Sequence, residues 1–139
     1  MNTALFSSKN EEWATPQEFF DELNREFGFT LDPCALPKNA KCDKYYTPET
    51  DGLAQDWSNH TVFCNPPYGR SIARWVEKCW QESRKSDTSV VLLIPARTDT
   101  AYFHMFIYKI AKEIRFVKGR LKFGESRNSA PFPSMVVIF

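Results

Sequence analysis

The chain has 139 residues, 42% hydrophobic and 25% charged, with a formal net charge of +1; this balance fits one folded domain and argues against disorder. No stretch approaches the roughly 18 apolar residues of a membrane span, and the first ten residues lack a basic-then-apolar export pattern. Membrane, fibrous and Sec-exported proteins are therefore disfavoured. The near-neutral total hides an uneven layout. Residues 1–60 hold five Lys/Arg against eleven Asp/Glu, whereas residues 109–127 hold seven basic residues against Glu113 and Glu125. The basic segment reads either as a site for a polyanion or as a solvated face. Cys34, Cys42, Cys64 and Cys79 show no zinc-type spacing, and His60 and His104 sit in no metal-like cluster. Reduced thiols, no metal and a cytoplasmic location are expected.

Thr15 and Glu18 have the spacing of a capping box, and Pro16 suits the first position of a helix running to Phe27. Phe19, Phe20, Leu23 and Phe27 share one face, and Gly28 stops the helix. Phe29–Leu31 predicts a short strand ending at Asp32-Pro33, and residues 35–60 read mostly as loop. Thr61–Cys64 predicts a second strand, halted by Asn65-Pro66-Pro67-Tyr68-Gly69, and Ile72, Trp75, Val76, Cys79 and Trp80 follow at helical spacing. Ser89–Pro95 is a continuous apolar run, as in a strand buried on both faces. Thr98–Thr100 offer caps for a helix over 101–112, after which strands are predicted at 113–117, 120–123 and 135–139. Alternating strands and helices indicate an α/β domain with a mostly parallel sheet and antiparallel pairing at its C-terminal strands. Ligands in such folds bind beyond the carboxyl ends of the strands, where Asp32, Asn65 and Arg97 fall.

Asn65-Pro66-Pro67-Tyr68 is the most informative segment. Two prolines fix φ twice and remove two backbone donors, leaving stiff carbonyls beside an Asn side-chain oxygen. Such a corner can accept both hydrogens of a planar NH2 group. An exocyclic amine on an aromatic base is a poor nucleophile because its lone pair is delocalised. Two acceptors draw density back to the nitrogen and stabilise the positive charge that develops as a methyl group arrives. Tyr68 offers a face for the base to stack on, and the base must leave the duplex to reach it.

At this point the chain resembles S-adenosylmethionine-dependent amino-methyltransferases, and within them the phage Dam-like N6-adenine DNA methyltransferases. The resemblance runs from Trp13 to the C-terminus. It includes Trp13-Ala14-Thr15-Pro16, Leu31-Asp32-Pro33-Cys34-Ala35, Asp51-Gly52-Leu53, Phe63–Gly69, Pro95–Thr100, Lys118–Phe123 and Ala130–Ser134. It implies a Rossmann-like methyltransferase fold and a single minimal domain over 1–139 with no separate target-recognition domain. It further implies S-adenosyl-L-methionine held by Thr15, Pro16, Asp32, Pro33, Cys34, Asp51 and Asn65, and catalysis by Asn65, Pro66, Pro67 and Tyr68. Substrate contacts are expected from Tyr68, Arg97, Phe123, Lys118 and Arg120, with Phe132 as an alternative stacking ring. Arg97 reads either as a DNA contact or as an ion-pair partner of Asp99, and Trp57 either as a cofactor contact or as core. Cys34 lacks a nearby His and is assigned only to pocket lining.

The Gly-rich turn usual after the first strand is absent, and only 18 residues separate Asp32 from Asp51. A parallel crossover alone takes a dozen or more residues, so the first crossover helix is expected to be reduced, the cofactor pocket open, and Asp43 a weak substitute for the usual ribose contact. The expected activity is site-specific methylation of a flipped-out adenine in double-stranded DNA. A homodimer or accessory protein would supply further recognition surface. Phage DNA protection or restriction–modification, in the host cytoplasm if phage-encoded, is the implied setting. RNA adenine or protein glutamine methylation, and a non-catalytic DNA-binding module, are the competing readings.

Overall fold

The computed structural model of the chain describes residues 14–124 and 128–139; the expectations that involve Trp13 and Arg127 lie outside them. In chain order the elements are α1 (Gln17–Phe27), β1 (Leu31–Asp32), β2 (Lys44–Tyr45), a 3₁₀ turn (Gly52–Ala54), β3 (Thr61–Cys64), α2 (Ile72–Ser83), β4 (Ser89–Pro95), a wide helical turn (Phe103–Ile107), β5 (Glu113–Phe116) and β6 (Ser134–Ile138).

Alternation along the central strands sets the layers. Val62, Cys64, Val90, Leu92 and Ile94 face one core with Trp57, Trp75, Val76 and Cys79. Phe63, Val91 and Leu93 face the other, with Phe20 and Leu23 of α1 and with Phe123 and Phe132. Successive side chains of a strand point to opposite faces, so β4 needs apolar residues throughout and is buried at six of its seven positions. The sheet order is β2-β1-β3-β4-β6-β5. β1 is parallel to β2 and β3, and β3 to β4, while β6 runs antiparallel to β4 and β5. The mostly parallel α/β sheet with antiparallel C-terminal pairing is thus as expected. So is the reduced first crossover: residues 33–43 form turns and bends with no helix.

Four local expectations are corrected. Thr15 does not cap α1; Pro16 holds that position with no side-chain cap bond, and the Thr15 hydroxyl is engaged elsewhere. The loop over 35–60 contains β2, which docks on β1 through Tyr46 N–H to Asp32 O at 3.0 Å. The predicted helix over 101–112 shrinks to a wide turn, closed by Tyr108 N–H to Phe103 O at 2.8 Å and followed by Lys109 at φ 62°. Residues 120–123 are irregular, with Leu121 O bonded to Ala130 N–H and Gly124 N–H to Ala14 O.

Glu82 of α2 is only 3% exposed and accepts from Trp57 N–H at 2.6 Å, Lys78 Nζ at 3.2 Å and Lys85 Nζ at 2.8 Å. Lys85 continues to Asp56 at 2.8 Å. The hub ties α2 to the segment entering β3. Burial opposes the Glu82 charge, but bonds from Lys85, Trp57 and Lys78 outweigh it and hold its carboxyl below the usual range. Its stabilisation is therefore present above the unfolded carboxyl range, about pH 4.3, and is lost as pH falls through the lowered folded value. Glu82→Gln should lower the unfolding free energy by about 1–3 kcal/mol at pH 7. In urea titrations, the gap from the parent should close toward zero below about pH 4.

Candidate active site

The chain passes from β1 to β2 on one side and returns to β3 on the other. The carboxyl ends of β1 and β3 therefore flank a topological switch point, where open α/β sheets bind ligands. Asp32 closes β1 and Asn65 follows β3. Between them lies a cavity of about 450 Å³ lined by Thr15, Asp32, Pro33, Cys34 and Asp51, and by Asn65, Pro66 and Pro67. Eight of the residues singled out from sequence thus meet in one place.

Each is held by a local cause. Asp32 is 4% exposed and accepts from Lys41 N–H at 3.0 Å and Cys34 N–H at 3.3 Å. Burial raises its pKa, and those two bonds pull the other way. The Cys34 thiol is pushed well up by burial, with Asp32 and Cys79 adding to the shift, which suits pocket lining and not nucleophilic attack. Asp51 adopts φ 54° and accepts from Leu53 N–H at 3.2 Å, opening the 3₁₀ turn. Gly52 then packs so tightly that an added Cβ would lie 2.0 Å from Pro33 O and 3.2 Å from the Trp75 ring. Trp57, fully buried, donates from Nε1 to Gly52 O at 2.9 Å and stacks on Trp75; it is core.

Asn65 is oriented by two hydroxyls. Its Nδ2 donates to Thr15 Oγ1 at 2.9 Å, and its Oδ1 accepts from the Tyr68 hydroxyl, which also lies 3.1 Å from Leu93 O. Pro66 and Pro67 line the cavity beside Asn65. The corner thus supplies an oriented acceptor between stiff walls.

Other expected site residues lie off the lining. Pro16 stands at the entry of α1, its carbonyl accepting Phe20 N–H at 3.1 Å. Tyr68 is half-buried, with ring edges against Phe123 and Phe132. Phe123, expected as a stacking face, is corrected to core: it is 1% exposed and packs on Tyr68 and Phe132. Phe132 is buried in the same cluster. Asp43 is exposed and away from the cavity. Arg97, Lys118 and Arg120 are exposed. Arg97 forms no ion pair with Asp99 among the described residues. The pairings Pro95↔Ser134 and Phe116↔Met135 place the ends of β4 and β5 at one edge of the sheet. That is the edge carrying Asp32 and Asn65, because β1 and β3 run parallel to β4.

The cavity also recruits residues that sequence reasoning passed over, Asn39, Lys41 and Trp75 among them. A lone Lys in a polar loop carries no motif, and Trp75 read as helix packing. Among the described residues no group of three or more His, Cys, Asp or Glu could hold a metal ion, and no helix is long and apolar enough to cross a membrane.

The sequence matches the family model described as DNA N-6-adenine-methyltransferase (Dam) over residues 2–139. It is 31% identical over 140 residues to the DNA N-6-adenine-methyltransferase of Haemophilus phage HP1, covering 95% of this chain and 80% of that protein. It is 36% identical over 93 residues to the DNA N-6-adenine-methyltransferase of Escherichia phage T1, covering 66% of this chain and 38% of that protein.

Because the Gly52 contact is with backbone, neither side can swing away. Gly52→Ala should lower stability by about 1–3 kcal/mol, as overpacking does, read as a lower urea midpoint at unchanged slope.

Proposed function

The chain belongs to the DNA N-6-adenine-methyltransferase (Dam) family and acts as a DNA adenine N6-methyltransferase; we propose that its methyl donor is S-adenosylmethionine, bound in the cavity between β1 and β3. The observation that carries this reading is the Asn65 side chain, oriented by Thr15 and lining that cavity beside Pro66 and Pro67. The cavity volume of about 450 Å³ lies within the range of small-molecule sites. Its lining combines apolar walls with the buried Asp32 carboxylate. These features fit a nucleoside carrying an amino acid. Asp32 would face the ammonium group, and Asp51 and Trp75 would lie along the rest of the cofactor.

S-adenosylmethionine, when bound, supplies a methyl group on a positively charged sulfur. The protein does the rest by placement. Asn65 Oδ1 and the Pro66 carbonyl take the two hydrogens of the adenine amine, pulling electron density onto its nitrogen. Their partial negative charge would then stabilise the positive charge that develops on the amine as its nitrogen takes the methyl group and the methyl–sulfur bond breaks, the extra proton passing to water. Thr15 keeps the Asn65 amide from turning its NH2 group toward the amine. Tyr68 braces Oδ1 through its hydroxyl, and its half-buried ring offers a surface for the extruded base. Held so, the two reactants need no strong base, and most of the acceleration comes from orientation.

The acceptor strand would lie across the exposed side of the same edge. Arg97, Lys118 and Arg120 are exposed there beyond β4 and β5, suited to phosphate oxygens. Contacts of this kind position DNA without reading its sequence. A second copy of the chain or another protein would extend the base-reading surface.

Duplex DNA treated with the protein and isotopically labelled S-adenosylmethionine should yield labelled N6-methyl-2′-deoxyadenosine on nucleoside mass spectrometry. Asn65→Ala should slow it by about 10²–10³-fold, the usual effect of removing one transition-state partner. Label appearing only in RNA or in protein, or undiminished turnover by the variant, would overturn the assignment. DNA affinity should fall steeply with salt, and Lys118→Ala and Arg120→Ala should each lower the log–log slope by about one.

A further inference from the structure

The segment that replaces the first crossover helix carries a cation where the usual Gly-rich turn would present backbone N–H groups. Three charged side chains line the cavity among the described residues: Asp32, Asp51 and Lys41. Lys41 is held there from two sides. Its backbone N–H donates to Asp32 Oδ2 at 3.0 Å, and its Nζ donates to Gln17 Oε1 of α1 at 2.9 Å. Gln17 is neutral, and Lys41 forms no ion pair among the described residues. Burial lowers the Lys41 pKa, while Asp32 and Asp21 oppose that shift. A partly buried Lys on the cavity lining whose ammonium is bonded, among the described residues, to a neutral amide oxygen gains from an anion that brings its own charge.

The proposed donor has one anionic group and two cationic ones: the methionine carboxylate, the ammonium and the sulfonium. The lining has the complementary set of two carboxylates and one ammonium. We propose that Lys41 is the residue that binds the carboxylate of the amino-acid portion, opposite Asp32 on the ammonium, so that the shortened β1–β2 segment recognises an α-amino-acid zwitterion through side-chain charge. This rests on the reading of the cavity as the S-adenosylmethionine site. It makes Lys41 a specificity residue, favouring the complete cofactor over analogues that lack the carboxylate. Arg preserves the charge and the capacity to hold a carboxylate, whereas Met keeps the stem and removes the charge.

The test is titration calorimetry on the full chain with S-adenosylmethionine and with its decarboxylated analogue. The protein without substitution should prefer the complete molecule. Lys41→Met should weaken S-adenosylmethionine binding by about tenfold to a hundredfold, the value of one charge-assisted bond, and change affinity for the decarboxylated analogue by less than about twofold. Lys41→Arg should restore most of the preference. Equal weakening of both ligands by Lys41→Met would assign Lys41 to loop structure alone and overturn the proposal, as would undiminished S-adenosylmethionine binding. If the unsubstituted protein binds neither molecule, the reading of the cavity falls and this inference with it. The unsubstituted protein thus separates the two failures, and its own preference between ligands is measurable even if Lys41→Met does not fold.

Discussion

One side-chain amide, that of Asn65, is the most constrained polar group of the candidate site. Asn65 follows a buried strand and precedes two prolines, so its backbone has little freedom. Its side chain would still rotate if left alone. Thr15 and Tyr68 remove that freedom, one from the segment entering α1 and the other from the turn after β3, and Tyr68 also reaches Leu93 O in β4. Three separate parts of the chain thus fix one side-chain amide, Thr15 at its nitrogen, Tyr68 at its oxygen and β4 behind Tyr68. An acceptor fixed in advance needs no reorganisation when charge develops beside it, and on the proposed reading this is what lets the corner act on a weak nucleophile.

The reduced crossover between β1 and β2 stands on backbone contacts in place of a helix. Asp32 organises it. Its carboxylate gathers the Cys34 and Lys41 N–H groups, while its carbonyl accepts from Tyr46 N–H. Leu36 N–H bonds Asn39 Oδ1, and Ala35 N–H bonds Tyr46 O. The segment therefore closes on itself with its polar groups largely paired, as a partly buried loop requires. Gly52 packs the next turn against Pro33 with no room for a side chain. A residue read from sequence as a ligand group thus also shapes the wall that carries it, and substitutions at Asp32 will mix folding effects with binding effects.

The sequence was most legible where one local cause dominates. The apolar run of β4, the amphipathic faces of α1 and α2 and the Pro-Pro corner carry their structure within a few residues. The short Asp32–Asp51 spacing likewise left little room for a crossover helix. It was least legible where distant groups compete. Thr15 has every local mark of a cap, yet its hydroxyl is taken by an amide 50 positions away. Phe123 follows a basic run and on that ground reads as a stacking ring ahead of Phe132, but the Tyr68–Phe132 cluster buries it. The segment after Thr100 has helical spacing, and Thr100 does accept Phe103 N–H at 3.3 Å; the turn then widens and ends at Lys109. Lys41 carries no local signal at all, because only the fold brings it to the cavity.

The charge asymmetry between the two ends of the sequence acquires a spatial meaning through the sheet order. β1 and β2, from the acidic part, form one flank, and β5, from the basic part, forms the opposite edge. Asp32, Asp51 and Lys41 line the cavity on the acidic flank, whereas Lys118 and Arg120 follow β5. On the proposed reading, a donor with net positive charge and a polyanionic acceptor would each meet a complementary surface. Were the two surfaces mixed, the basic residues would repel the sulfonium, and the carboxylates would repel phosphate. Separating them would let both associations be favourable at once, with Asn65 just beyond β3 between the flanks. The same arrangement favours turnover: methyl transfer removes the positive charge from sulfur, and a lining with net negative charge then holds the product less strongly than the donor.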